Sequence, residues 1–139
     1  MSEKITVKTI LKKDIRLIWQ AWTSPEHIVN WNFASDDWQC LSADNDLKEG
    51  GVFSYRMEAK DGNMGFDFSG RYTHVDEHRL IEFDLDDGRH VKIKFTETSE
   101  GVKIIETFET EKSNSEDMQR QGWQAILNNF KKYTEDKNE

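Results

Sequence analysis

The stretch that decides the fold is SEDMQRQGWQAILNNFKKY, residues 115–133. Stepped at roughly 100° per residue, its apolar side chains fall within one wide arc, which is typical of a long amphipathic helix. These side chains are Met118, Trp123, Ala125, Ile126, Leu127, Phe130 and Tyr133. An amphipathic helix needs an apolar surface to cover, and the chain before it reads almost entirely as short β-strands. We therefore expect this helix to lie on a sheet.

The composition predicts one domain spanning residues 1–139, with a formal net charge of −8. This charge argues against nucleic-acid binding, because affinity for phosphates comes mainly from Lys and Arg. There is no apolar run of about 18 residues and no secretion signal, so we expect neither a membrane span nor export, and a cytoplasmic location. The single cysteine, Cys40, is expected to be a small buried apolar residue.

Residues 4–11 alternate as a β-strand, and two short helices follow. Asp14 stands at an N-cap position, and the residues after it place Ile15, Ile18, Trp19 and Trp22 on one stripe of a helix over residues 14–22. Pro25 suits the first turn of a second short helix, residues 26–30.

Six further strands are predicted between the short helices and the final helix, each ending at a turn rich in Gly or Asp. They span residues 38–44, 52–59, 64–75, 80–86, 90–98 and 102–110. Gly70 within a strand and Gly122 within the last helix suggest close approach or curvature, because glycine weakens both elements unless its small size is needed.

The width of the sheet predicts its shape. Seven strands about 4.8 Å apart make a sheet near 30 Å wide, whereas a helix with its side chains is about 10 to 12 Å across. The fold class is therefore α+β, with a curved antiparallel sheet of about seven strands wrapped around the long C-terminal helix and two short helices after the first strand. The space between helix and sheet is either tightly filled or an internal pocket.

If a pocket is present, its walls are the inward-facing aromatic and aliphatic side chains. The candidate ligand-binding residues are Trp31, Phe53, Tyr55, Phe68, Tyr72, Phe83, Phe95, Trp123, Ile126 and Phe130. Trp31 is expected nearest the mouth, where the short helices meet the sheet.

The alternation of side chains along a strand predicts which face of the sheet each nearby charged residue occupies. Arg56, Glu58 and Arg71 fall on the outer face and are expected to be surface charges. Glu106 points inward with Ile104 and Phe108. A position at the sheet's rim in water is favoured over a lone carboxyl in a cavity, because unpaired buried acids are costly.

No catalytic set, metal site or cofactor site is predicted. His74 and His78 lie in a hairpin, where their spacing does not place both side chains on one helical face. The acids before Gly88 lack the length and terminal glutamate of a calcium loop. No motif of a nucleophile elbow is present.

The order of elements resembles the helix-grip fold of the START-like, or SRPBCC, superfamily. Within it the chain is similar to single-domain relatives of the activator of the ninety-kilodalton heat-shock protein ATPase. The residues that carry this resemblance are IWQAWTSPE at 18–26 with Trp31, DLKEGGVF at 46–53, FSGRY at 68–72, and Gly122-Trp123.

The resemblance implies a binding module with an apolar cavity for a lipid, polyketide, isoprenoid or other aromatic molecule. Two alternatives stay open: a co-chaperone-like domain that contacts the heat-shock ATPase, and a cyclase- or hydrolase-like enzyme that uses the cavity. An enzyme is less favoured, since the chain offers no catalytic set. The oligomeric state is expected to be a monomer or a homodimer.

Overall fold

The computed structural model describes residues 4–136, which form one curled antiparallel sheet and three helices. The strands are β1 (Lys4–Leu11), β2 (Trp38–Asn45), β3 (Val52–Ala59), β4 (Gly65–Asp76), β5 (Leu80–Leu85), β6 (His90–Thr98) and β7 (Gly101–Glu109). The helices are α1 (Ile15–Thr23), α2 (Pro25–Ile28) and α3 (Glu116–Asp136). The predicted order of elements is confirmed, and α3 runs one turn beyond the predicted end.

The sheet order is β1-β7-β6-β5-β4-β3-β2, so β2 to β7 form a continuous meander. β1 joins at the far edge by pairing with β7, with Ile5 opposite Phe108 and Leu11 opposite Val102. The short helices α1 and α2 therefore carry the chain from one edge of the sheet to the other. This connection leaves the concave face of the sheet to α3, which confirms the helix-grip arrangement.

Two irregularities help the sheet to curve. The pairing register shifts between Cys40 and Ser42 on β2, and between Tyr72 and His74 on β4. Such bulges bend a strand and increase its twist. At Gly70 a Cβ atom would lie 2.4 Å from the backbone oxygen of Asp84, so the predicted close approach is confirmed there.

Gly122 behaves differently from Gly70. A Cβ atom added at Gly122 would meet nothing within 4 Å, so of the two predicted reasons for this glycine, close approach and curvature, close approach is wrong. The glycine instead faces open space on the inner side of α3.

The first helix begins as its sequence indicates. Asp14 accepts a hydrogen bond at 2.8 Å from the backbone N–H of Arg16, and Pro25 opens α2. Ile18, Trp19 and Ala21 are buried on the inner side of α1. Cys40 is buried as predicted, and this burial raises the pKa of its thiol.

An aromatic cluster joins the helices beneath the sheet. The ring of Trp22 lies 4.9 Å from that of Trp31, 5.7 Å from Phe95 and 4.8 Å from Phe130, centroid to centroid. Phe130 is completely buried. The contacts of Trp22 with Phe95 and Phe130 are edge to face, and such pairs add to the stabilisation from area burial, so this end of the core is tightly packed.

None of the helices between residues 4 and 136 combines the length and the apolar character that crossing a membrane requires.

Candidate ligand cavity

A cavity of about 570 Å³ lies between α3 and the concave face of the sheet. Nine of its 22 lining residues are aromatic: Trp22, Trp31, Phe53, Tyr55, Phe66, Phe68, Tyr72, Phe83 and Trp123. Ile81 and Ile93 contribute aliphatic surface from β5 and β6, and Gly122 and Ile126 contribute from α3. The sequence left open whether the space between helix and sheet is filled or empty. The structure has a pocket there.

Most of the predicted lining residues meet at this cavity, namely Trp31, Phe53, Tyr55, Phe68, Tyr72, Phe83, Trp123 and Ile126. Phe95 and Phe130 do not line it. The indole of Trp22 packs edge to face against both of these rings, which belong to the solid end of the core. Strand alternation predicted that Phe95 faces inward, and the helical arc predicted the same for Phe130, but neither pattern could show that Trp22 would lie against them.

Trp31 is buried within the structure rather than placed at the mouth. It is 4% exposed, and its indole N–H donates a hydrogen bond at 3.0 Å to the backbone oxygen of Ala21. The most exposed lining residues are instead Ala34, Phe66, Asn114 and Met118. The mouth therefore lies near the start of α3 and the hairpin between β3 and β4.

A hydrogen-bonded group lies at one wall of the cavity. The Tyr72 hydroxyl donates to the side-chain oxygen of Asn45, and the Asn45 amide donates at 2.7 Å to the backbone oxygen of Thr23. Burial raises the pKa of Tyr72 to about 12. Burial, together with the neighbouring Tyr72, raises the pKa of Tyr55 well above its usual value. Both phenols therefore stay protonated and act as fixed polar groups.

Glu106 lies inside the cavity, and the prediction of a solvent-exposed position at the rim is wrong. The residue is 6% exposed and lies between Val7 of β1 and Ile93 of β6 in the strand register. Within residues 4–136 its carboxyl has no hydrogen-bond or ion-pair partner, and burial raises its pKa to about 8. A neutral carboxyl is much less costly to bury than a carboxylate, which explains how the fold accommodates it.

One side of the mouth is held by Gln119. Its side-chain N–H groups donate to the backbone oxygens of Glu111 at 3.1 Å and Asn114 at 2.8 Å, while its oxygen accepts from the Glu111 N–H at 2.9 Å. Gln119 is 7% exposed. These bonds tie the segment between β7 and α3 to the first turns of the helix.

The charged residues predicted on the outer face do lie there. Arg56 pairs with Glu58 at 2.9 Å and with Asp67 at 3.5 Å, while Arg71 is exposed and donates to the backbone oxygen of Gly50. Among the residues described, no group of three or more His, Cys, Asp or Glu side chains could hold a metal ion.

One outer-face cluster was not predicted. His90 contacts Asp84 at 2.6 Å and Glu82 at 2.9 Å. Burial tends to lower the pKa of His90, but the bonds to these two carboxylates raise it overall. The alternation of side chains places Glu82, Asp84 and His90 on the outer face of the adjacent strands β5 and β6. This pattern could have predicted the cluster.

A family model confirms the resemblance. The model described as Activator of Hsp90 ATPase homolog 1-like protein matches residues 13–135. The chain belongs to this family. It is thereby part of the START, or SRPBCC, superfamily, whose helix-grip architecture the sheet and α3 reproduce.

Solved structures of similar chains agree with this assignment. An AHSA1-like protein from Aeromonas hydrophila is 41% identical, with a TM-score of 0.90 over 96% of this chain and 92% of its own. A protein from Cytophaga hutchinsonii is 48% identical, with a TM-score of 0.84 over 95% and 92%. The protein NE0264 of Nitrosomonas europaea, 20% identical with a TM-score of 0.77 over 94% and 92%, shares the fold. No curated protein matches the chain.

The AHSA1-like sequence motifs lie close to the cavity. Phe68 and Tyr72, from the motif FSGRY, line its wall, and so do Gly122 and Trp123. Phe53 ends the motif DLKEGGVF and packs against Phe83 at 4.8 Å. The residues that carry the family resemblance therefore shape the pocket as well as the turns.

Proposed function

We propose that this AHSA1-like domain is a small-molecule-binding module whose cavity takes a flat apolar or aromatic compound, such as a lipid, polyketide or isoprenoid. The observation that carries the proposal is the aromatic cavity of about 570 Å³ between α3 and the sheet. This volume lies within the usual range of ligand pockets, about 300 to 1,000 Å³, and such pockets are mostly apolar with a few polar groups.

The packing of the walls supports binding rather than collapse. The ring of Trp123 stacks on Phe108, and Phe53 contacts the rings of Tyr72 and Phe83. Because each ring is held by neighbours behind it, little side-chain freedom remains to be lost when a ligand enters. Preorganised walls of this kind favour affinity.

The test is thermal shift and titration calorimetry with naphthalene derivatives as probes. A probe at 100 times its dissociation constant should add about 2.7 kcal/mol to the free energy of unfolding. The variant Gly122→Leu places a side chain into the open space beside α3 and is expected to abolish binding while the fold persists. Gln121→Leu, an exposed change at the neighbouring position, is the matched control and should bind normally.

Native mass spectrometry of the protein purified from its own host gives an independent readout. A specific adduct that Gly122→Leu eliminates would support a ligand carrier or sensor. A clean mass, together with no stabilising apolar probe, would overturn the proposal. The co-chaperone alternative would then be tested by the ATP turnover of the host's ninety-kilodalton heat-shock protein.

A further inference from the structure

The carboxyl of Glu106 lies in the cavity among apolar side chains, and the packing of the walls gives no reason for an acid at this position. It lies on β7 between the buried residues Ile104 and Phe108, and it is more than nine-tenths buried. Its neighbours across the sheet are Val7 and Ile93, both apolar and 2% and 1% exposed. The side chain therefore lines the cavity with apolar groups on both flanks.

The other polar groups of the cavity wall already have partners. Arg89 donates to Asp87 at 2.9 Å, and Glu111 accepts from the side chain of Asn114 at 2.7 Å. The Tyr72 hydroxyl is bonded to Asn45. In the part of the chain from residue 4 to 136, the Glu106 carboxyl is bonded to none of them.

Arg89 and Glu111 line the same cavity, but within residues 4–136 no charged group shifts the pKa of Glu106. Lys8 of β1 and the residues Lys92 and Lys94 of β6 alternate onto the outer face and are exposed. On α3, Trp123 and Ile126 line the same cavity, while Arg120 donates to the backbone oxygen of Thr6 outside it. Burial is accordingly the cause of the raised pKa of Glu106, about 8, and the group is a neutral acid at pH 7.

We propose that Glu106 is the polar anchor of the cavity, and that the ligand is a largely apolar molecule with one accepting oxygen, a carbonyl or an ether, to which the Glu106 hydroxyl donates a hydrogen bond. This inference rests on the proposed binding function and specifies its ligand class. The ligand oxygen would be the hydrogen-bond partner that the described residues do not provide for this buried carboxyl.

An accepting oxygen fits this site better than a cationic amine. An ammonium group carries three N–H donors, and Glu106 with its apolar neighbours could satisfy only part of them. The remaining donors would be buried without partners, and the ion pair would lose its hydration. A carbonyl oxygen, in contrast, needs a single donor.

The experiment compares three probes of one shape: 2-acetylnaphthalene, 2-ethylnaphthalene and 2-(1-aminoethyl)naphthalene. Calorimetry at pH 6.5 on the unaltered protein should show the ketone binding about fivefold tighter than the hydrocarbon, the usual scale of one net hydrogen bond. In Glu106→Leu this preference should vanish while the hydrocarbon still binds. Glu106→Gln keeps an N–H donor and should retain part of the preference.

The pH dependence is the second readout. At pH 9.5, above the pKa of Glu106, the unaltered protein should lose its preference for the ketone, whereas Glu106→Gln should not change. A ketone preference that survives in Glu106→Leu would overturn the inference. So would tighter binding of the amine than of the ketone.

The hydrocarbon separates this inference from the function on which it rests. Binding of 2-ethylnaphthalene without any ketone preference supports the cavity as a binding site and refutes the role of Glu106. Failure of all three probes refutes both. If Glu106→Leu does not fold, the comparison of Glu106→Gln with the unaltered protein across pH still decides the outcome.

Discussion

The indole of Trp123 on α3 stacks on the ring of Phe108 on β7, with the ring centroids 4.0 Å apart and the planes 11° from parallel. The same indole meets Phe68 of β4 edge to face at 6.2 Å. Trp123 therefore contacts two strands on different sides of the sheet's concave face. It fixes the distance between α3 and the sheet, and hence the height of the cavity.

Replacing Trp123 with alanine should lower the free energy of unfolding by about 2 to 4 kcal/mol, because a large partly buried ring and its stacking contact are lost. Urea denaturation followed by circular dichroism measures this change. Met118→Ala on the same helix is the control, since Met118 is 61% exposed and should change stability by less than about 0.5 kcal/mol. Equal effects of the two substitutions would contradict the bridging role of Trp123.

The buried acid gives the stability a specific pH dependence. The pKa of Glu106 is raised to about 8 from 4.5 in the unfolded chain, so the folded state holds this proton more tightly. Stability should therefore fall as the pH rises between these values and level off above pH 8, by up to roughly 5 kcal/mol.

Glu106→Gln removes this titration, while the other groups titrate as before. The difference between the two unfolding profiles, measured from pH 4.5 to 9 in urea, isolates the contribution of Glu106. We expect the variant to gain on the unaltered protein steadily as the pH rises. Parallel profiles would show that the Glu106 carboxyl is not desolvated.

Two glycines should respond oppositely to the same substitution. Gly70→Ala would place its Cβ 2.4 Å from the Asp84 oxygen and 3.1 Å from the Phe53 ring, and should destabilise the fold by about 2 kcal/mol or more. Gly122→Ala meets open space within a helix and should stabilise it by about 0.5 to 1 kcal/mol. Thermal denaturation of the pair is the measurement, and changes of the same sign would refute the assigned geometry.

The Tyr72 hydroxyl should contribute through its bond to Asn45. Tyr72→Phe leaves the Asn45 oxygen without this donor and should lower stability by about 1 to 2 kcal/mol. A double-mutant cycle with Asn45→Ala assigns the effect to the pair. Additive losses in the double variant would mean that the hydroxyl acts through another contact.

The fold could be predicted from the sequence because its signals are local and periodic. Alternation marked each strand, and the i, i+3, i+4 spacing from Ile15 to Trp22 marked α1. The width of seven strands then required a curled sheet. None of these arguments depended on how individual rings fit together.

The cavity was less predictable, because its existence depends on how side chains are arranged behind one another. Alternation placed Phe95 and Phe83 equally inward, yet Trp22 packs against Phe95, and Phe83 lines the open space. Glu106 was assigned the correct direction, but the cost of burying a carboxylate favoured the rim. The acid avoids that cost by holding its proton, which only the apolar surroundings in the folded structure reveal.

The hydrogen bonds of Gln119 to Glu111 and Asn114 lie where a ligand would enter and leave the cavity. Together with the bond between Asn114 and Glu111 and the Ser115 hydroxyl at the start of α3, they hold the segment beside the mouth without any bond of the strand ladder. The rings deeper in the cavity govern how tightly a guest is held at equilibrium. We therefore expect a change at Gln119 to alter the rate at which a guest leaves, and a change at the deeper rings to alter its affinity.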